Sequence, residues 1–256
     1  MTLIITHFSK HGIIHASDSN LTRKNDNQTY EGQKTFELPH LNAGMTVAGI
    51  YSVGNQPMKQ WLDAYIQSDA GSNNASLSSF SYSIRNKLEN EMSPEEKKAG
   101  IIMHIAGYVE INGMSHPEFY SVRNIHGIDS TTGKYKPPRK DFKCVEEFWS
   151  FDGPRNDMMT QFEKGAYQIY INGFPEGRII YLTVQNMLSQ FFEKVWKQPN
   201  WKFRPPNSLE EAKLFVETYM SIINNLFNVS DYSAPFIGGP PQVYGIPRPN
   251  NTVADF

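Results

Sequence analysis

The sequence predicts an α+β fold, a four-layer αββα sandwich. Short β-branched runs fall in hairpin pairs, and helical segments come two at a time between them, giving strands, two helices, strands, two helices, strands. Hairpins with one apolar face each pack face to face, which leaves the helices to cover the outer faces. No internal repeat or heptad run competes with that order.

Residues 2–8 and 12–17 are β-branched runs around Ser9, Lys10 and His11, which reads as an antiparallel hairpin. A three-residue loop sets Phe8 opposite Gly12 and Thr2 opposite Asp18; another loop length shifts the register by about one residue. Residues 34–38 and 43–50 form a second strand pair around Pro39, His40 and Asn42. A helix is predicted over 57–67, opened by Pro57, with Met58, Trp61, Leu62 and Tyr65 on one face. Residues 70–76 are a linker, 77–92 a weaker amphipathic helix, and 94–99 a charged surface turn. Strands at 100–109 and 117–123 flank the Asn112-Gly113 turn. The pattern breaks up over 124–165, with Pro137 and Pro138, and this segment is read as an insertion. A strand at 167–172 and helices at about 176–197 and 208–227 follow, the last opening with Ser208 and Glu211 at capping-box spacing. A strand near 242–246 precedes a Pro/Asn-rich tail at about 247–256.

The chain of 256 residues, 39% apolar and 13% aromatic, suits one domain over 1–256. Its formal charge of −2 is interspersed and carries no basic block, which argues against a nucleic-acid footprint or an anionic-membrane anchor. Cys144 alone makes no internal disulfide, and the opening segment, broken by Lys10 and His11, is no signal sequence. No apolar run approaches the roughly 20 residues of a membrane span. The protein is therefore expected in the cytoplasm, with the sequons at Asn27, Asn74 and Asn228 silent.

Thr2 carries the chemistry. Once Met1 is removed, which a small second residue permits, its hydroxyl and its free α-amine make a nucleophile and base on one residue. An α-amine titrates near about 7.7–8.0, and an adjacent ammonium pushes it toward the neutral, proton-accepting form. Lys34 can supply that charge, and Asp18 can hold Lys34 protonated and oriented. The turn Ser52, Val53 and Gly54 lies where an oxyanion donor is expected. No cofactor is needed.

The opening TLIITHFSKHGIIHASDSN, the GQKTFEL segment with Lys34, and VAGIYSVGNQPMKQWL resemble the opening hairpin, lysine strand and first-helix entry of proteasome β-type subunits, in the group of bacterial proteasome-like peptidases. Thr2, Asp18 and Lys34 match that family's catalytic spacing, and HIAGYVEINGMSHPEFYSV and IGGPPQVYGI resemble its central hairpin and a late strand. The likeness is strong over about the first 125 residues and topological beyond. It implies a proteasome-like N-terminal-nucleophile (Ntn) hydrolase fold and a threonine protease acting on peptide or unfolded-protein amide bonds. It further implies a homo-oligomer enclosing its sites, and leaves an ATPase partner undetermined. It also implies a late serine near the amine, for which Ser233 stands, with Asp231 two positions before it rather than three. The family's Gly-Ser-Gly turn is replaced by Asn172-Gly173-Phe174.

Taken singly, each residue has a plainer explanation: Asp18 as a turn former, Lys34 as a solvated charge, Ser52–Gly54 as a helix entry, Ser233 as a loop hydroxyl. Two further functions stay open: a catalytically inactive structural subunit and a small-molecule Ntn amidase. His7 and His15 can face each other across the first hairpin, but no HExxH or CxxC pattern accompanies them, so no metal is expected. Gly238 to Pro241 read as a bend, and Cys144 has no base partner. The helix at 176–197, with Tyr181, Phe191, Phe192 and Trp196, carries more large apolar residues than one sheet-facing stripe consumes.

Overall fold

A computed structural model describes residues 2–22, 28–68, 71, 76–111, 113–132, 134–150, 160–173, 177–195, 197, 204, 206–229 and 237–249. Its strands are β1 (Ile4–Ser9), β2 (Gly12–Ser17), β3 (Asn20–Thr22), β4 (Thr29–Glu31), β5 (Thr35–Leu38), β6 (Ala43–Gly49), β7 (Ser52–Val53), β8 (Gln56–Pro57), β9 (Ile101–Ile111), β10 (Met114–Arg123), β11 (Lys143–Glu146), β12 (Gln168–Asn172) and β13 (Gln242–Pro247). The helices are α1 (Met58–Gln67), α2 (Leu77–Glu91), α3 (Pro94–Ala99), α4 (Gly177–Lys194) and α5 (Leu209–Asn228). The molecule is a mixed α/β fold with two principal sheets, β12-β1-β2-β13 and β11-β10-β9-β6-β5.

The first hairpin sets the geometry of the chain's start. Ser9 pairs with Gly12 and Phe8 with Ile13, so only Lys10 and His11 form the loop, and the register lies one residue away from the three-residue expectation. The physical cause is Ser9, whose hydroxyl donates to the Gly12 carbonyl and accepts from the His11 amide, drawing Ser9 into the ladder. Asp18 consequently stands opposite Leu3: its N–H donates to the Leu3 carbonyl at 3.2 Å.

Strand alternation then sorts the side chains by face. Leu3 and Ile5, with Ile14 and Ala16 of β2, lie under Ala212, Val216, Met220, Ile223 and Phe227 of α5. Ile4 packs instead on Ala48 of β6 and Ile102 of β9, and Phe8 and Ile13 pack on Ala106 and Phe119, all from the other sheet. Thr2 shares the parity of Ile4, and so the side directed at β6 and β9. The far face of the second sheet takes α1 through Met58, Trp61, Leu62 and Tyr65, the stripe that the helical period predicts, and α2 through Phe80, Ile84 and Leu88. Each such fully buried aliphatic or aromatic side chain contributes about 1.5–3 kcal/mol.

Several expectations are corrected. Residues 94–99 are not a turn but a helix, because Ser93 and Glu96 form a reciprocal capping box. The hairpin at Asn112-Gly113 is longer on both arms than expected, β9 reaching Ile111 and β10 starting at Met114. The segment 124–165, where the sequence shows no steady period, holds a strand: β11 pairs with β10 at the sheet edge, and Phe148 and Phe162 fill the aromatic cluster around Phe8 and Phe119. His7 and His15 do not face each other, since His7 pairs with Ile14 and His15 with Thr6. His7 stacks on Tyr167, whereas His15 Nε2 meets the Ala106 carbonyl across the sheets. In α5, Ser208 caps the Glu211 amide, but the Glu211 carboxylate accepts from the Asn207 amide and from Arg204, so the box is not reciprocal. Most of the linker at 70–76, the Asn27 and Asn74 sequons, Trp196 and the end of the tail lie outside the described residues.

Candidate active site

The centre of the site is an ion pair without solvent. Lys34 stands one residue before β5, and its Nζ donates to Asp18 Oδ2 at 3.0 Å, with both side chains fully buried. Lys34 Nζ also donates to the Asn20 carbonyl. The other carboxylate oxygen, Oδ1, accepts from the Leu3 amide at 2.9 Å, and the Gly238 amide adds a long bond of 3.4 Å to Oδ2. Burial lowers the Lys34 pKa, and the Asp18 charge opposes that shift. Burial likewise raises Asp18, against the Lys34 charge and the Leu3 bond. The pair is thus fastened to the residue that follows Thr2.

Thr2 itself is 5% exposed. Its carbonyl oxygen is close to Gly173: a methyl group built on that glycine would lie 2.1 Å from the Thr2 oxygen and 3.0 Å from the Ala48 side chain. Gly173 has φ 98°, so both the backbone angle and the space require glycine. Position 173 therefore takes no larger residue on steric grounds; Phe174 lies outside the described residues.

The contact with Ala48 brings the end of β6 to the chain's start. Val47 donates its N–H to the Lys34 carbonyl, so strand alternation directs the Gly49 N–H to the same edge, two residues on. There β5 has not yet begun, since it starts at Thr35 opposite Thr46. Gly49 has φ 110°, and a methyl group on it would lie 2.2 Å from the Gly100 carbonyl oxygen. The sequence resemblance places Ala48 and Gly49 on an Ala-Gly strand leading to the first helix but gives them no site role, although the glycine closing an apolar strand is a signal for one.

The Ser52–Gly54 turn serves differently. The Gly54 amide donates to Glu96 Oε2 at 3.0 Å, and the Ser52 hydroxyl and Asn55 amide donate to Oε1 at 3.0 and 3.2 Å. Val53 is buried in the cluster under α1 and α2. The Ser52 hydroxyl and the Gly54 amide are therefore committed to a carboxylate; of the three backbone amides expected to meet an oxyanion, that of Gly54 is the one bonded to Glu96. Glu96 itself was legible from the Ser93-Pro94-Glu95-Glu96 capping box. Ser233 and Asp231 lie outside the described residues.

Two residues of the IGGPPQVYGI stretch, given no site role by the sequence, complete the site. Gln242, at the start of β13, accepts through Oε1 from the Lys34 amide at 2.7 Å and the Thr35 amide at 3.1 Å, and donates through Nε2 to the Gly32 carbonyl. It ties the lysine-bearing edge of one sheet to the other. Gly238, read as part of a bend, accepts from the Ser19 and Asn20 amides and so clamps the segment carrying Asp18. Among the described residues no cluster of His, Cys, Asp and Glu could hold a metal ion, and no helix is long and apolar enough to cross a membrane. Burial pushes the Cys144 thiol up to about 12, which leaves it a poor nucleophile.

No family model matches the chain, and no curated protein does. Among solved structures it is similar to a Gly-1 mutant of Anbu from Hyphomicrobium sp. strain MC1, with a TM-score of 0.50 over 97% of this chain and 83% of that one, at 12% identity. At that identity the likeness is one of fold.

Proposed function

We propose that the protein is a threonine-type N-terminal nucleophile hydrolase that cleaves peptide or unfolded-protein amide bonds, with Met1 removed. The observation that carries this reading is the buried Lys34–Asp18 pair hydrogen-bonded to Leu3, one residue from Thr2. A fully buried ammonium is costly, so its place beside the chain's start asks for a chemical use. A distant, fold-level likeness to a proteasome-like protein supports the same reading.

In this mechanism the Thr2 hydroxyl attacks the substrate carbonyl carbon while its proton passes to the Thr2 α-amine. The Lys34 charge keeps that amine neutral between turnovers, and Asp18 holds Lys34 in place. The oxyanion takes the Gly49 N–H, whose edge alternation favours, in place of the Ser52–Gly54 turn. The amine then returns its proton to the leaving nitrogen, the C–N bond breaks, and an ester remains on Thr2. Water, giving a proton to the same amine, hydrolyses that ester and frees Thr2. Ser233 stands as a further hydroxyl for the amine, on the family resemblance alone.

We read the succession of α5, the two sheets and α1 with α2 as the four-layer αββα sandwich over the single domain 1–256. A peptidase of broad reach needs its sites enclosed, so the chain self-associates, with Met187 and Phe191 of α4 and Val195 just after it offering exposed apolar surface. Mass spectrometry of the purified protein tests the mechanism: Met1 absent and an electrophilic peptide analogue bound at Thr2 is the expected result. Met1 retained in every preparation overturns it. A panel of peptides against small amides separates a peptidase from a small-molecule amidase.

A further inference from the structure

Behind Thr2 runs a chain of hydrogen bonds that the proposed chemistry does not use. Asn172 Nδ2 lies 2.9 Å from His104 Nε2, and His104 Nδ1 lies 2.9 Å from the Thr6 hydroxyl. Tyr135 Oη donates to Asn172 Oδ1 at 3.4 Å and accepts the Gly173 N–H at 3.1 Å. The donors have one consistent direction. If Asn172 donates to Nε2, then His104 carries its proton on Nδ1 and donates it to Thr6, so every group from Gly173 to Thr6 has a partner. Burial fits a neutral His104 at the centre.

Tyr135 comes from the segment that the sequence presents as an insertion. That segment folds back on itself through the Ile128–Tyr135 bridge, with the Lys136 amide bonded to the Gly127 carbonyl and the Asp129 amide to the Lys134 carbonyl. The half-buried ring packs against Ile4, Ala48 and Ile102, the cluster on the β6 side of Thr2. Its hydroxyl thus meets the glycine on which any side chain would collide with the Thr2 carbonyl.

We propose that Tyr135 is a positioning residue for the nucleophile: its hydroxyl holds Gly173 against the Thr2 carbonyl and so fixes the chain's start relative to Lys34. This rests on the hydrolase reading for its catalytic consequence, but not for its geometry. The phenol stands where the Asn172-Gly173 turn has no hydroxyl side chain of its own, and it is delivered by a different segment.

The test is Tyr135→Phe, which keeps the ring and its packing and removes only the hydroxyl. Two readouts are taken on full-length protein with verified Met1 removal: the rate of covalent labelling of Thr2 by an electrophilic peptide analogue, and amide hydrogen exchange over residues 2–17 and 168–173. Labelling about tenfold slower at an unchanged melting temperature, with faster exchange in both segments, is the expected result. Labelling at the wild-type rate overturns the proposal, as does faster exchange confined to 168–173 or absent from both segments. If wild-type Thr2 is not labelled at all, the hydrolase reading falls, and exchange at residues 2–17 alone still decides whether Tyr135 orders the chain's start.

Discussion

Two buried carboxylates do the same local work and differ in what they do it for. Asp18 is fully buried and Glu96 is 6% exposed, and each collects backbone N–H groups: Asp18 those of Leu3 and Gly238, Glu96 those of Ser93, Gly54 and Asn55. Asp18 also takes Lys34, whereas Glu96 takes the Ser52 hydroxyl and has no cation against it in the described contacts. The titration follows the surroundings. Burial raises Asp18, while at Glu96 the same burial is outweighed by the bonds from Ser93, Asn55, Ser52 and Gly54, which hold its pKa below the ordinary 4.5. Backbone amides suffice to settle a carboxylate that only ties a turn to a helix. At Asp18 a fully buried lysine joins the amides, and it is this charged pair at the chain's start that the proposed chemistry calls on.

Substitution at the first end has the largest expected effect. Lys34→Ala leaves Asp18 buried without its cation, costs about 3–5 kcal/mol of stability, and removes turnover by at least about a hundredfold in the protein that remains folded. Urea denaturation and initial rates read the two separately. Thr2→Ala loses turnover with little loss of stability and Thr2→Ser keeps part of it; equal rates for Thr2→Ala and wild type would place the chemistry elsewhere.

At the second end, Glu96→Ala costs about 1–2 kcal/mol by freeing the helix cap and the Gly54 and Asn55 amides, with turnover per folded molecule unchanged. A loss of turnover without a loss of stability would return the oxyanion role to the Ser52–Gly54 turn and erase the distinction drawn here.

Acid separates the groups further. Burial lowers His104 from 6.5 to about 3, with His15 and Arg123 adding to the shift, and lowers His7 and His15 to about 4. Below pH 6.5 the unfolded chain takes up protons that the folded one refuses, so stability falls as pH drops from 6.5 toward 4 and is unaffected by these groups above that range. Denaturation midpoints across this range check the slope, and His104→Gln flattens it. The smallest effect is Glu96→Gln. The pKa of Glu96 is depressed in the fold, so its contribution is present above 4.5 and fades as pH falls through the lower folded value; the variant differs from wild type only above that window.

Much of this was legible in the sequence where the signal is local. The stripe Met58, Trp61, Leu62 and Tyr65 is a period along one helix, and Thr2, Asp18 and Lys34 sit at strand ends whose spacing returns them to one place. Where local signals fell short, the reason was a contact distant in sequence or a competing hydrogen bond. Ser9 entered the ladder and moved Asp18 from Thr2 to Leu3.

The sequence by itself determined the order of the principal strands and long helices, the apolar faces, and the set of residue types that the proposed N-terminal nucleophile requires, because each follows from spacing along the chain. Only the tertiary structure decided that the Ser52 hydroxyl and the Gly54 amide belong to Glu96, that the Val47–Gly49 edge runs toward Lys34, and that Gln242, Gly238 and Tyr135 meet the segments at the chain's start. Those are pairings between segments up to 220 residues apart, fixed by sheet register and by the hydrogen bonds that buried polar groups find across it, and no periodicity along a chain encodes them.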